Sequence, residues 1–282
     1  MSKYLSIIRY PNLIIIFFTQ LLTYQCLIRK DILNVDFDKG FLYLVIATML
    51  IAAAGYMIND FYDVDADKVN KNKSVLIGKK IPSRLAIFLY FLFNLIALIC
   101  GFLISLDFLF IFIAIILLLF LYSYKLKKIA LVGNLVVALL LAFTVFVVYI
   151  FEPVEDAVPM FFFVAFSFLS GLFREIIKDI EDIEGDRVIN ARTLPLVAGE
   201  KTSKIVVFVI AILLFICTTF FISYMTIIKN YLAVVYFVIL VLSPLVYLAS
   251  MVNEAKSKSD FHKVSFQSKL FMVIGILSML FI

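Results

Sequence analysis

The sequence predicts an all-α integral membrane protein with about nine transmembrane helices, and three observations predict it. Hydrophobic residues fill 65% of the 282 positions and charged residues only 16%, against about 45–50% and about 25% in soluble domains. A water-soluble fold would have to expose much of that apolar surface, whereas a bilayer absorbs it. Apolar runs long enough to cross about 30 Å of hydrocarbon recur along the whole chain, and the charges collect in the short segments between them.

The first run, 11–29, follows Lys3 and Arg9, which superficially suggests a secretory leader. It is too long for that, and no small-residue cleavage site follows, so a retained helix is expected. The second run covers 41–60. The third and fourth, 83–105 and 107–122, are separated only by the polar break Ser105-Leu106-Asp107. The others are 131–150, 157–178, 204–227, 231–251 and 265–282. No linker or low-complexity stretch interrupts them, which predicts a single domain, 1–282. Trp is absent, so the 14 Tyr must supply any interfacial aromatic belt.

With the N-terminus in the cytoplasm and nine spans, 21 of the 25 Lys and Arg fall on the cytoplasmic side. Only Arg29, Lys30, Lys39 and Lys229 lie opposite. A missing or extra span in the middle would dissolve that asymmetry, so it supports both the count and a cell-membrane topology with the N-terminus inside. The net charge of +5 is therefore a loop property of a protein whose surroundings are membrane lipid, and no nucleic-acid partner is implied. Cys26, Cys100 and Cys217 are far apart in apolar runs, without CxxC or Cys/His spacing, which argues against a disulfide framework or a zinc site. The single histidine, His262, reads as a surface residue of a Lys-rich loop. No nucleophile elbow, Walker loop or GxGxxG is present.

The acids, in contrast, are gathered. Asn59-Asp60-Phe61-Tyr62-Asp63-Val64-Asp65-Ala66-Asp67 closes the second run, and Lys178-Asp179-Ile180-Glu181-Asp182-Ile183-Glu184-Gly185-Asp186 closes the sixth. Asp60, Asp63 and Asp67 are spaced three then four, as are Asp179, Asp182 and Asp186. On a continuous helix each set falls within about 60° of arc. Two helices would then each present a carboxylate stripe at the same membrane depth. Such stripes repel themselves and ask for a partner. Hard divalent cations are the natural one, since Mg²⁺ takes carboxylate oxygen and bridges to substrate phosphates. Taken singly, either cluster also reads as the solvated end of an amphipathic helix paired with nearby Lys and Arg; the matched spacing on one side of the membrane favours the metal.

These residues resemble a known family. Asn59-Asp60-x-x-Asp63-x-x-x-Asp67 is similar to the first aspartate-rich motif of the UbiA superfamily of intramembrane prenyltransferases, and Asp182-x-x-x-Asp186, within the block from Arg174 to Arg187, is similar to the second. Thr193-Leu194-Pro195, the segment Leu121-Tyr122-Ser123-Tyr124-Lys125-Leu126-Lys127 and the opening Arg9-Tyr10-Pro11-Asn12 also resemble family positions. One departure lies after the first motif, where relatives carry an Arg-Pro pair and this chain has Asn70-Lys71-Asn72-Lys73; Lys73 replaces the charge but not the bidentate geometry.

The resemblance implies a bundle of nine helices around a central cavity, with the aspartates at its cytoplasmic mouth. It implies Mg²⁺ held by Asp60, Asp63, Asp67, Asp182 and Asp186, with Asp179 in support and Asn59 hydrogen-bonding a metal-bound water or a phosphate oxygen. Lys127 and Arg174 would contact the diphosphate, with Lys178 beside them, and Tyr122 or Tyr124 would stabilise its oxygens or a nascent cation. The implied reaction ionises an isoprenyl diphosphate and captures the allylic cation with a lipid or aromatic acceptor. Within the superfamily the opening and the Arg174–Arg187 block are most similar to geranylgeranylglyceryl-phosphate geranylgeranyltransferases, which implies geranylgeranyl diphosphate as donor. Prenylation of a quinone precursor or a tetrapyrrole is the alternative acceptor class. A membrane cation transporter would set its acids near the midplane on Gly- or Pro-broken helices. A CDP-alcohol phosphotransferase would need DGxxAR…GxxxDxxxD, of which only a fragment is present.

Overall fold

The computed structural model describes residues 2–31, 38–64, 68, 77–78 and 81–282, with side chains from Leu5 onward. Among these residues nine helices are long and apolar enough to cross a membrane, and no strand is formed. Short α1 (Ser2–Ile7) precedes α2 (Tyr10–Leu22), which runs on as a π-helical turn, Thr23–Arg29. Then come α3 (Lys39–Tyr62), α4 (Ser83–Ile104), α5 (Leu106–Tyr124) and a 3₁₀ turn, Leu126–Lys128. α6 (Val132–Phe151), α7 (Val158–Glu181), the short α8 (Ile183–Val188) and α9 (Leu194–Ile227) follow. The eighth span is α10 (Tyr231–Tyr236), a π segment (Phe237–Leu242) and α11 (Ser243–Glu254); the ninth is α12 (Lys258–Leu277) with a 3₁₀ end, Ser278–Phe281.

The polar break between the third and fourth runs is a real boundary. Ser105 has extended backbone, and its hydroxyl accepts from Phe108 N at 3.3 Å, capping α5. Two helices begin earlier than hydrophobicity predicts. α9 starts at Leu194 because extended Thr193 and Pro195 set up a first turn, and it kinks at Gly199, whose φ of 84° no helical residue adopts. α12 starts at Lys258 behind a capping box of Ser257 and Asp260. His262 is thus helical: the expectation of a loop fails because a capped, polar first turn carries no apolar signal.

The helices group into two compact units: residues 1–18, 36–129 and 184–191 form one, and 19–35, 130–183 and 192–282 the other. In the first, α3 packs on α4 and α5. Its run Ala52-Ala53-Ala54-Gly55 lets them approach closely, and a Cβ on Gly55 would stand 3.2 Å from Leu119. Ile7, Ala54, Met57, Ile58, Ile81, Ala86 and Tyr90 share one core.

In the second unit α7 packs on α6, α9 and α12. Phe162 and Phe221 stack with centroids 3.9 Å apart, and Phe237 meets both edge-on. Gly275 of α12 lies directly against the Phe166 ring. Lipid is as apolar as Leu, so this close packing, rather than escape from water, holds the helices together. Away from the acidic helix ends, Arg29 donates to Tyr24 Oη at 2.6 Å and pairs with Glu152 at 3.2 Å. Tyr224 Oη donates to Asp156 at 2.5 Å.

Candidate active site

Both acidic clusters sit where a long helix stops. α3 ends at Tyr62, and Asp63 is its C-cap, with φ −95° and ψ 3° and its N–H bonded to Asn59 O. α7 ends at Glu181, and Asp182 is its C-cap, with φ −97° and ψ 10° and its N–H bonded to Lys178 O. The expectation of carboxylate stripes on continuous helices is therefore corrected. Asp60 and Asp179 lie in the last turns, Asp63 and Asp182 on the caps, and Asp186 on the separate α8. Asp67 lies outside the described residues, as do Lys71 and Lys73. A carboxylate at a helix C-terminus faces unpaired carbonyls and the negative end of the dipole, so each cap is a place that favours a cation.

In the first unit that demand is met by basic side chains. Arg9 Nη2 donates to Asp60 Oδ1 at 2.6 Å, and the guanidinium lies 5.0 Å from the centre of the Tyr56 ring. Lys127 Nζ donates to Asp63 Oδ1 at 2.6 Å and to Asn59 Oδ1 at 3.3 Å, while Asn59 Nδ2 donates to Asp63 Oδ2 at 2.7 Å. These groups are recessed: side-chain exposure is 9% for Lys127, 15% for Asp60 and 20% for Asp63. Burial acts to lower the Arg9 pKa, but the charge and hydrogen bond of Asp60, aided by Tyr56 and Asp63, raise it above the ordinary guanidinium value. Tyr122 is half-buried, whereas exposed Tyr124 stacks on Phe120 at 6.3 Å and meets Tyr62 at 5.8 Å. The structure thus brings Asn59, Asp60, Asp63 and Lys127 together and turns Tyr124 into an aromatic group.

In the second unit Arg174 Nη1 pairs with Glu175 Oε1 at 2.8 Å, and Lys178 stands 3.7 Å from the same carboxylate. Arg174 Nε is buried and has no hydrogen-bond partner among the described residues. Asn134 of α6 donates to Asp179 Oδ2 at 2.8 Å, and His262 Nδ1 lies 2.7 Å from Glu181 Oε1. Four of these groups had no contact assigned from the sequence: Arg9, which stands in the family-like opening, and Asn134, Glu175 and His262. Asn134 and Glu175 did leave a signal, a lone polar residue within an apolar span.

The donor chemistry fits a hard divalent cation, because Asp60, Asp63, Asp179, Asp182 and Asp186 all offer carboxylate oxygen, the two motifs contain no cysteine, and the His262 imidazole faces Glu181. Among the described residues no group of three or more acidic, His or Cys side chains is gathered as a preformed metal cage.

Residues 13–274 match the UbiA prenyltransferase family. This chain belongs to that family. It is an integral membrane prenyltransferase, and its fold is the UbiA fold. The chain is 33% identical, over 99% of its length and 98% of the relative's, to the digeranylgeranylglyceryl phosphate synthase of Methanosphaera stadtmanae. It is 30% identical over 59% of its length, and 59% of the relative's, to the enzyme of the same name from Pyrococcus abyssi. A solved structure of a digeranylgeranylglyceryl phosphate synthase superposes with TM-score 0.72 at 25% identity, covering 99% of this chain and 96% of that one. A UbiA homologue from Archaeoglobus fulgidus, bound to GPP and Mg²⁺, superposes with TM-score 0.67 at 15% identity, covering 98% of this chain and 99% of that one.

Proposed function

We propose that this UbiA enzyme transfers a geranylgeranyl group from geranylgeranyl diphosphate to geranylgeranylglyceryl phosphate, forming a diether lipid precursor. The observation that carries the acceptor is the end-to-end 33% identity with the Methanosphaera stadtmanae synthase. The family match, continuous from 13 to 274, supports reading 1–282 as one functional domain.

In the reaction the bond between C1 of the prenyl chain and the diphosphate oxygen breaks, and its electron pair leaves with the diphosphate. The acceptor hydroxyl oxygen then bonds to C1, and its proton passes to the departing diphosphate or to an aspartate. Asp60, Asp63, Asp67, Asp182 and Asp186 would hold Mg²⁺, with Asp179 in support. When bound, Mg²⁺ supplies positive charge where negative charge builds on the leaving group. Lys127, Arg174 and Lys178 add fixed charge toward substrate phosphate oxygens, and Asn59 adds a hydrogen-bond donor. Tyr122 or Tyr124 offers a hydroxyl to those oxygens or a ring face to the allylic cation. Exclusion of water keeps that cation from hydrolysis. The distribution of Lys and Arg supports a cytoplasmic N-terminus and a cytoplasmic active site.

The test is product analysis by mass spectrometry. Purified protein is given Mg²⁺, geranylgeranyl diphosphate and two competing acceptors, geranylgeranylglyceryl phosphate and an aromatic acid. A diether that disappears with EDTA, with Asp60→Ala and with Asp182→Ala is expected. A prenylated aromatic product would keep the chemistry and discard the ether-lipid acceptor. Absence of diphosphate release under every condition would overturn the mechanism.

A further inference from the structure

Arg9 has no role in the mechanism above, yet the structure gives it an unusual setting. It joins α1 to α2 with a left-handed φ of 49°, a conformation that non-glycine residues seldom adopt. The backbone is pinned on both sides. Ile7, 1% exposed, is packed with Ala54, Met57 and Ile58 of α3, while Leu13 and Ile16 lie against Ala53. Arg9 N donates to Ser6 O at 3.1 Å, and Arg9 O accepts from Asn12 N at 2.8 Å. The backbone of Arg9 is therefore fixed beside α3, and only the side chain is able to change partner. That side chain spans Tyr56 and Asp60, one helical turn apart on α3, and keeps 35% of its surface exposed.

Lys127 repeats the arrangement on Asp63, so each described carboxylate of the first motif already has a cation at 2.6 Å. A divalent cation that arrived alone would have to take the recessed Asp60 carboxylate from the guanidinium and leave that half-buried charge without its anion. A diphosphate arriving with the cation supplies the missing anion, and a guanidinium fork matches phosphate oxygens well.

We propose that Arg9 is the resting counter-ion of Asp60 and passes to the substrate diphosphate when a divalent cation takes the carboxylate, so that cation and diphosphate bind as a pair. The proposal rests on the prenyltransferase reading above. No bond is made or broken in this exchange; two charges swap partners. Cation affinity is accordingly low without diphosphate and rises with it, and the coupling runs through one side chain.

The experiment is Mn²⁺ titration of the full-length protein in detergent, followed by electron paramagnetic resonance, with and without inorganic pyrophosphate and with free Mn²⁺ corrected for its pyrophosphate complex. Pyrophosphate is expected to tighten Mn²⁺ binding by about tenfold in the unaltered protein. Arg9→Gln is expected to bind Mn²⁺ alone about tenfold more tightly and to lose the enhancement. Arg9→Lys is expected to retain part of it. Equal Mn²⁺ affinity with and without pyrophosphate in the unaltered protein overturns the proposal without any variant. So does an Arg9→Gln protein that titrates like its parent. Normal prenyl transfer alongside either result would sink only the role of Arg9, whereas absence of prenyl transfer and of Mn²⁺ binding would sink the underlying reading as well.

Discussion

Lys127 is the most buried of the described charged groups that meet at the first motif, and its ammonium is shared by Asp63 and Asn59. Lys127→Ala removes a charge from a recessed pair and leaves Asp63 beside the carbonyls of its own helix end. The expected loss in kcat/KM for the isoprenyl diphosphate is about 10²–10³-fold. Lys127→Arg should recover part of it, and steady-state kinetics of both variants check this. Lys127 was legible in the sequence because it stands in a Tyr-Ser-Tyr-Lys-Leu-Lys segment with a family resemblance. Its partner was not, since 64 residues separate it from Asp63. Arg9 and Asp60 are 51 apart, and Asn134 and Asp179 are 45 apart. Linear spacing reports neighbours on one helix, and these contacts join different ones.

At the scale of the element, close approach decides stability. A Cβ on Gly275 would enter the Phe166 ring, which is itself packed on Phe271 with centroids 5.4 Å apart. Gly275→Ala should therefore destabilise the second unit by about 1–3 kcal/mol through overpacking. Gly199 has open space around it but a φ of 84° and a ψ of 162°, a region that glycine almost alone adopts, so Gly199→Ala should cost about 1–3 kcal/mol through backbone strain alone. Thermal unfolding in detergent measures both, and adding Phe166→Leu should relieve the first loss and leave the second unchanged. The helices themselves were readable from length and apolarity, which is why all nine runs reappear as spans among the described residues. Their ends were less so. Hydrophobicity stops where polar side chains begin, yet Pro195 and the Ser257 cap carry α9 and α12 through polar turns. For the same reason the 3-then-4 aspartate spacing suggested continuous helices where the backbone in fact caps at Asp63 and Asp182.

For the whole molecule, the distribution of Lys and Arg makes a prediction that side chains cannot blur. Glu155 and Lys256 are exposed and fall on opposite sides in the proposed topology. In sealed cells a membrane-impermeant maleimide should label Glu155→Cys and spare Lys256→Cys, and the pattern should reverse in inverted vesicles. Labelling of both from one side would remove a span from the count. The two capping aspartates also carry an evolutionary consequence. A residue inserted into α3 ahead of Asp60 would turn that carboxylate by about 100° and shift it by about 1.5 Å. A residue inserted after Asp67 would leave it untouched. Gene lengths in this lineage should therefore drift in the segments that follow Asp67 and Asp186, while the stretches from Gly55 to Asp67 and from Gly171 to Asp186 keep their residue count, like rulers that can be extended only beyond the last mark.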